Sequence, residues 1–316
     1  MFENNAVTTL LGIKYPLFQG GMAWVADAGL AAAVTNAGGL GIIAAMNSNS
    51  QQIKEQIRKA RTLTDGVFGV NIMLMSPFAG EVARAVIEEK VPVVTTGAGS
   101  PAKYMKDWLA AGIRVIPVVP SVAYAKMMER SGACAVIAEG SEAGGHIGET
   151  TTMCLIPQVC DAVKIPVIAA GGIADGRGAA AAFMLGASGL QLGTRFLLCK
   201  ECGAHENYKA QVKSASDIQT MVTGRKFGHP VRALKSKLTR AYAELEKSPD
   251  ATAEALEQMT AGALRKAVQT GDLESGCFMA GQCAGLMSDE LTASEIITGI
   301  FAEAESLLRG GSKCLR

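Results

Sequence analysis

The feature that most constrains this chain is a rhythm. Eight short apolar runs, at 13–21, 40–45, 67–73, 91–99, 114–119, 133–138, 165–170 and 188–192, alternate with segments of helical pattern. Most are nearly continuous in Val, Ile, Leu, Ala and Gly, the pattern of parallel strands covered on both faces. The joins carry helix punctuation. Asp27 is placed to cap a helix that Gly38 and Gly39 end, and Asn49 or Ser50 caps one reaching about residue 63. Pro101 opens another, and Asp175 caps one that Gly186 ends. Eight strand–helix alternations in the first 200 or so residues predict an α/β fold, the (β/α)8 or TIM barrel; a doubly wound sheet would need about six strands.

Beyond Lys200 the rhythm stops. The stretch from His205 carries Lys209, Lys213, Arg225, Lys226, Arg232, Lys235, Lys237 and Arg240, with turn-like TGR and GHPVR segments. We read 1–206 as the barrel, 207–270 as an inserted C-terminal cap or lid, and 271–316 as a segment returning to the barrel. Within these, 251–268 is expected as one amphipathic helix and 272–286 as irregular chain. A closing helix is expected at 293–308, with Ile296, Ile297, Ile300 and Leu307 inward. The basic run either meets an acidic or phosphate-bearing partner or is an ordinary solvated face.

Bulk properties exclude several classes. A formal net charge of +1 argues against a general nucleic-acid binder. The N-terminus shows no basic stretch leading into an apolar one, and Gly and Pro interrupt every candidate membrane span. A cytoplasmic protein without stable membrane insertion is expected. Of eight cysteines, at 134, 154, 160, 199, 202, 277, 283 and 314, only Cys199 and Cys202 form a CxxC. No second pair accompanies it and His205 alone does not complete a zinc site, so reduced structural thiols and no metal are expected. Cys134, Cys154 and Cys160 are read as core residues.

In a barrel the chemistry sits where strands end. Four predicted strands end in glycine-bearing turns: Gly20-Gly21, Gly97 with Gly99, Gly171-Gly172, and Gly193-Thr194. The last two follow strands seven and eight, where free backbone N–H groups and the Thr194 hydroxyl can cradle a phosphate. The same face collects Gln19, Met22, Asn71, Glu139, Ser141, His146 and Gln191. Amides at one rim and a phosphate cup at the other suit a flat heterocycle with a phosphorylated tail. FMN fits better than a dinucleotide, because no GxGxxG follows a strand with an acidic residue after it. His146, one of three histidines, is either a satisfied core residue or an exposed functional one; flanking glycines and nearby Glu142 favour the second. A phosphosugar isomerase would need a Lys or Glu–His set that cannot be placed.

The motifs carry a resemblance over almost the whole chain. IKYPLFQGGMAWVA, NAGGLGIIAA, FGVNIML, EGSEAGGHIG, PVIAAGGIADGRG, GASGLQLGTRFL, VTGRKFGHPVR and MAGQCAGLM are similar to those of flavin-dependent enoyl-[acyl-carrier-protein] reductase II, within the broader family that includes nitronate monooxygenases. The resemblance implies that Gly21, Met22 and Ala23 meet the isoalloxazine region of FMN, and that Asn71, Glu139 and Ser141 contact the cofactor. It implies Gly145 near the ring, Gly171, Gly172, Gly193 and Thr194 on the phosphate with Gln191 beside them, and His146 as catalytic histidine. It further implies NADH or NADPH as reductant, a carrier-protein-linked enoyl thioester of fatty acid elongation as substrate, a homodimer, and stimulation by a monovalent cation. The alternatives are nitronate oxidation, with His146 as base, and a non-enzymatic FMN-binding barrel.

Overall fold

The computed structural model describes residues 2, 4–46 and 48–310, so Cys314 lies outside it. Eleven strands occur among them: β1 (Leu17–Gln19), β2 (Gly41–Ala44), β3 (Phe68–Met73), β4 (Val93–Gly97), β5 (Arg114–Val119), β6 (Val136–Glu139), β7 (Gly145–His146), β8 (Val167–Ala170), β9 (Gly189–Leu192), β10 (Thr220–Thr223) and β11 (Val231–Leu234). Eight of them form one sheet in the order β1-β9-β8-β6-β5-β4-β3-β2. A parallel bridge between Phe18 and Leu40 joins its two ends and closes the ring. The expected (β/α)8 barrel is the observed fold.

Strand periodicity decides what enters the barrel. Phe18, Ile42, Val93, Ile116, Ile137 and Ile168 form one buried cluster inside the ring. Each such side chain contributes about 1.5–3 kcal/mol on leaving water. Val7 and Leu11, from a helix at Ala6–Leu11 that the sequence reading did not anticipate, join this cluster. Val7 packs against the start of β9, so this helix stops the N-terminal end of the barrel. Alternate residues share a face, so Glu139 points the same way as Ile137 but at the opposite end. The inward-facing register therefore changes from apolar to polar as it reaches the C-terminal rim.

The helices form as their caps dictate. Asp27 accepts from the Leu30 N–H, and Asn49 with Gln52 makes a full capping box for the helix Ser50–Leu63. Two details of the sequence reading need correction. The stretch 251–268 is two helices, Ala253–Thr260 and Ala263–Thr270, because Gly262 at φ +70° turns the backbone between them. In the closing helix Ala293–Arg309, Ile296, Ile297 and Ile300 are buried as expected, but Leu307 is 40% exposed. The inward line runs through Phe301 and Ala304, and three- and four-residue spacing carries it to Leu308 instead. That helix lies along Gly176–Met184, whose first N–H is accepted by Glu303 at 2.7 Å.

The cap is not built from its own segment alone. β10 and β11 are antiparallel, and β11 pairs on its other side with β7, the two-residue strand in the long loop after β6. The basic run is largely engaged internally. Lys209 and Lys213 meet Glu290, Arg225 meets Glu149, and Lys237 meets Glu274. Lys226 donates to the Ser248 carbonyl, and Arg232 is buried. Among the described residues no helix is long and apolar enough to cross a membrane.

Candidate active site

A cavity of about 500 Å³ opens at the C-terminal end of the barrel. That is within the range of small-molecule sites, ~300–1,000 Å³. All eight barrel strands feed it: Gly20 to Ala23 after β1, Ala44 from β2, Asn71 and Met73 from β3, Gly97 to Gly99 from β4, Val118 and Pro120 from β5, Glu139 from β6, Ala170 to Ile173 from β8, and Gln191, Gly193 and Thr194 from β9. Gly21, Met22, Ala23, Asn71, Glu139, Gly145, His146, Gly171, Gly172, Gln191, Gly193 and Thr194 thus line one cavity. Ser141 does not join them. It is buried behind the wall, its N–H donating to the Thr150 carbonyl.

The glycines are there because other atoms need the space. A Cβ on Gly21 would overlap the Cβ and Cγ of Asn71, so backbone and amide meet directly at this rim. The half-buried Asn71 amide in turn donates to Thr95 Oγ1 at 3.0 Å, the partner that a polar group in an apolar strand calls for. Gly171 and Gly172 both take the left-handed conformation, φ +96° and +76°. A side chain on Gly171 would press on the Gly140 carbonyl and on Thr152. These turns bring bare backbone to the cavity lining.

The chain's last fifth completes the cup. Thr194 Oγ1 accepts from the Gly281 N–H at 2.9 Å, and the Gln282 N–H donates to the Glu142 carbonyl at 2.9 Å. Met279, Gly281 and Cys283 consequently line the cavity. Burial raises the Cys283 thiol to about 11, which keeps it protonated and inert. Cys199 and Cys202 are buried free thiols, with Cys199 donating to Glu201; Cys154, read as a core residue, is exposed on the surface of its helix. Among the described residues no three His, Cys, Asp or Glu side chains come together to hold a metal ion.

Of the titratable groups lining the cavity, Glu139 and His146 are the carboxyl and the imidazole. The Glu139 carboxyl accepts no hydrogen bond from any described residue, and burial raises its pKa to about 7. His146 is exposed at the mouth, yet the surrounding protein, and secondarily the neighbouring His229, lower its pKa below the ordinary 6.5. The resting imidazole is therefore neutral at pH 7. Its loop is held at several points. The Glu142 carboxylate accepts from the Thr152 N–H and hydroxyl at 2.8–3.0 Å. β7 pairs with the cap, setting His146 opposite Val231 and Gly145 opposite Arg232. The buried Arg232 guanidinium donates twice to the Ser141 carbonyl, at 3.1 and 3.0 Å, and once to Thr220 Oγ1 at 3.0 Å.

Sequence reasoning missed several wall residues. Tyr124, whose hydroxyl donates to the Gly99 carbonyl at 2.6 Å, starts the helix directly after β5 and so lay within reach of the strand-end rule. Tyr208, Leu264 and Met279 reach the wall from the cap and the returning segment, and no local pattern marks them.

Comparison with known proteins agrees over the full length. The family model described as nitronate monooxygenase matches residues 4–89 and 76–303. The solved structure of FabK from Thermotoga maritima superposes with a TM-score of 0.95 and 48% identity, over 98% of this chain and 99% of that one. A curated relative from Rhodococcus jostii (strain RHA1), named (3aS,4S,5R,7aS)-5-hydroxy-7a-methyl-1-oxo-octahydro-1H-indene-4-carboxyl-CoA dehydrogenase, is 34% identical over 95% of each chain. A probable nitronate monooxygenase of Staphylococcus aureus (strain MSSA476) is 31% identical, covering 98% of this chain and 99% of its own.

Proposed function

The chain belongs to the nitronate monooxygenase family, and within it we propose an enzyme that reduces trans-2-enoyl thioesters carried on acyl carrier protein, using NADH or NADPH and bound FMN. The observation that carries this reading is the whole-chain likeness to FabK, an enoyl-carrier-protein reductase II. The relative named for a carboxyl-CoA substrate adds that thioester-borne molecules occur in this family.

The residues present fit FMN. The glycine turns after β8 and β9, with Thr194, present donors to a phosphate and no carboxylate of their own. Glu139 offers an unpartnered acceptor to hydroxyls midway along the ligand, and the Gly21–Asn71 contact lets the backbone approach a flat ring. Met22, Ala23, Gly145 and Gln191 complete the wall, and Ser141 contributes by holding the loop from behind. FMN supplies hydride chemistry at the substrate β-carbon and is recharged by the nicotinamide.

The protein's own task is the other half of the reduction. Adding hydride to the β-carbon places negative charge on the thioester carbonyl, and the α-carbon then takes a proton. His146, neutral and at the open mouth, donates an N–H hydrogen bond to that developing oxyanion, a donor already held in place before the charge forms. The proton enters from solvent through the same mouth. Overall, enoyl thioester, NAD(P)H and a proton become acyl thioester and NAD(P)+.

The decisive measurement is anaerobic. Enzyme reduced with NADH or NADPH is mixed with crotonyl thioester, and flavin reoxidation is followed by absorbance. Rapid reoxidation by the thioester, and slow turnover of alkyl nitronates in air, is the expected result. The reverse pattern would make the protein a nitronate monooxygenase with His146 as base, the reading that the S. aureus relative favours. Bound flavin with neither activity would leave a binding barrel. We further propose a homodimer, tested by light scattering of the holoenzyme, and a cytoplasmic location, tested by cell fractionation.

A further inference from the structure

We propose that Arg232 is the positioning residue for His146: from the cap, its guanidinium holds the Ser141 end of the loop that carries the imidazole, while its backbone pairs with the Gly145 end. The inference rests on the reductase reading and names the residue that readies its catalytic histidine.

The geometry is unusual for so short a strand. β7 contains only Gly145 and His146, and among the described residues its sole strand partner is β11. Chain enters it through Gly145 at φ +79°, a conformation with no preference for extension. A two-residue ladder is a weak restraint by itself. Arg232 strengthens it twice. Its backbone lies opposite Gly145, and its side chain turns back to the Ser141 carbonyl, near the start of the loop, with two hydrogen bonds of 3.0–3.1 Å. The third donor is anchored on Thr220 Oγ1 of β10, so the guanidinium cannot swing. Burial, with Arg225 nearby, lowers the Arg232 pKa, and the Glu142 carboxylate next to Ser141, itself fixed by Thr152, offsets part of that cost. Only the planar fork of arginine makes these three bonds together; a lysine ammonium would retain charge and lose the bidentate grip.

Arg232 lines no part of the cavity. It therefore acts on the substrate half of the reaction through His146 and leaves the phosphate cup alone. Arg232→Ala, loaded with FMN, should exchange the backbone amides of 141–147 about tenfold faster, while β8 and β9 keep their protection. Reoxidation of its flavin by crotonyl thioester should slow about 10- to 100-fold, with reduction by NAD(P)H changed less than about twofold. Arg232→Lys should recover only part of either loss. Unchanged exchange at 141–147, or equal slowing of the two half-reactions, would overturn the proposal. Should Arg232→Ala fail to fold, Arg232→Lys and Thr220→Val carry the same comparison at smaller amplitude, with the same outcomes deciding. If His146→Ala proves normal with thioester, the catalytic role of His146 is lost, while the exchange measurement still decides whether Arg232 holds the loop.

Discussion

The two sides of the cavity are built in different ways. On the cup side, Gly171-Gly172 and Gly193-Thr194 follow neighbouring strands of one barrel, and ladder bonds between β8 and β9 hold them. On the histidine side, the loop after β6 keeps its shape by pairing with the cap, and Ser141 reaches Arg232 across 91 residues of sequence. The glycine turns of one wall come with barrel closure and are completed by Gly281 docking on Thr194; the other wall takes its shape from pairing with the cap. The difference teaches that holding the cofactor and acting on the substrate are mechanically separable here, so damage to one wall need not reach the other.

The sharpest break of that comparison is His146→Ala. Enoyl reduction should fall by about 10²-fold or more, while the protein stays yellow with bound flavin; loss of flavin together with rate would show the walls to be coupled. Its pH profile refines the chemistry. A neutral N–H donor predicts that the His146-dependent rate holds from pH 7 to about 9, whereas a fall through the lowered pKa, below the ordinary 6.5, would mark the imidazolium as the acid. Gly21→Ala attacks the opposite rim. The overlap with Asn71 should weaken FMN binding by more than about tenfold in a fluorescence titration, ~1.4 kcal/mol.

Glu139→Gln tests the floor between the walls in flavin-free protein. In the fold this carboxyl stays protonated up to about pH 7, whereas the unfolded chain releases the proton near its ordinary 4.5. The native state therefore loses stability as pH rises from 4.5 to 7, and the loss is complete above 7. Glutamine should recover on the order of 2 kcal/mol at pH 8 and nothing at pH 4, read from urea midpoints. The smallest effect lies away from both walls. Thr96 Oγ1 is a buried hydroxyl with no partner among the described residues. Thr96→Val should stabilise by up to ~1 kcal/mol and leave flavin affinity and turnover unchanged.

This contrast also explains what could be read in advance. Buried parallel strands write themselves as apolar runs, so all eight barrel strands were legible, and with them the strand-end positions of Gly21, Asn71, Glu139, Gln191 and Thr194. Asn71 announced itself as the polar exception in an apolar strand. Where a residue depends on a partner distant in sequence, legibility stopped. Nothing local in EGSEAGGHIG says that Gly145 and His146 form a strand, and nothing in GHPVR says that its arginine reaches under Ser141. Ser141 itself, placed at the cofactor by resemblance, lies behind the wall because its carbonyl is engaged by that arginine. Gly262 was visible as a glycine, yet whether a helix bends or tolerates it is settled by packing around it.

The hydrogen bond from Gly281 to Thr194 has a consequence for the order in which the molecule comes into being. The last barrel strand leaves the ribosome long before Gly281, which follows Thr194 by 87 residues. A nascent chain can close its ring of strands while the cup still lacks Met279, Gly281 and Cys283. Flavin capture in its final form is thus a late event in synthesis, and a chain stalled within the cap would be a barrel with an unfinished floor.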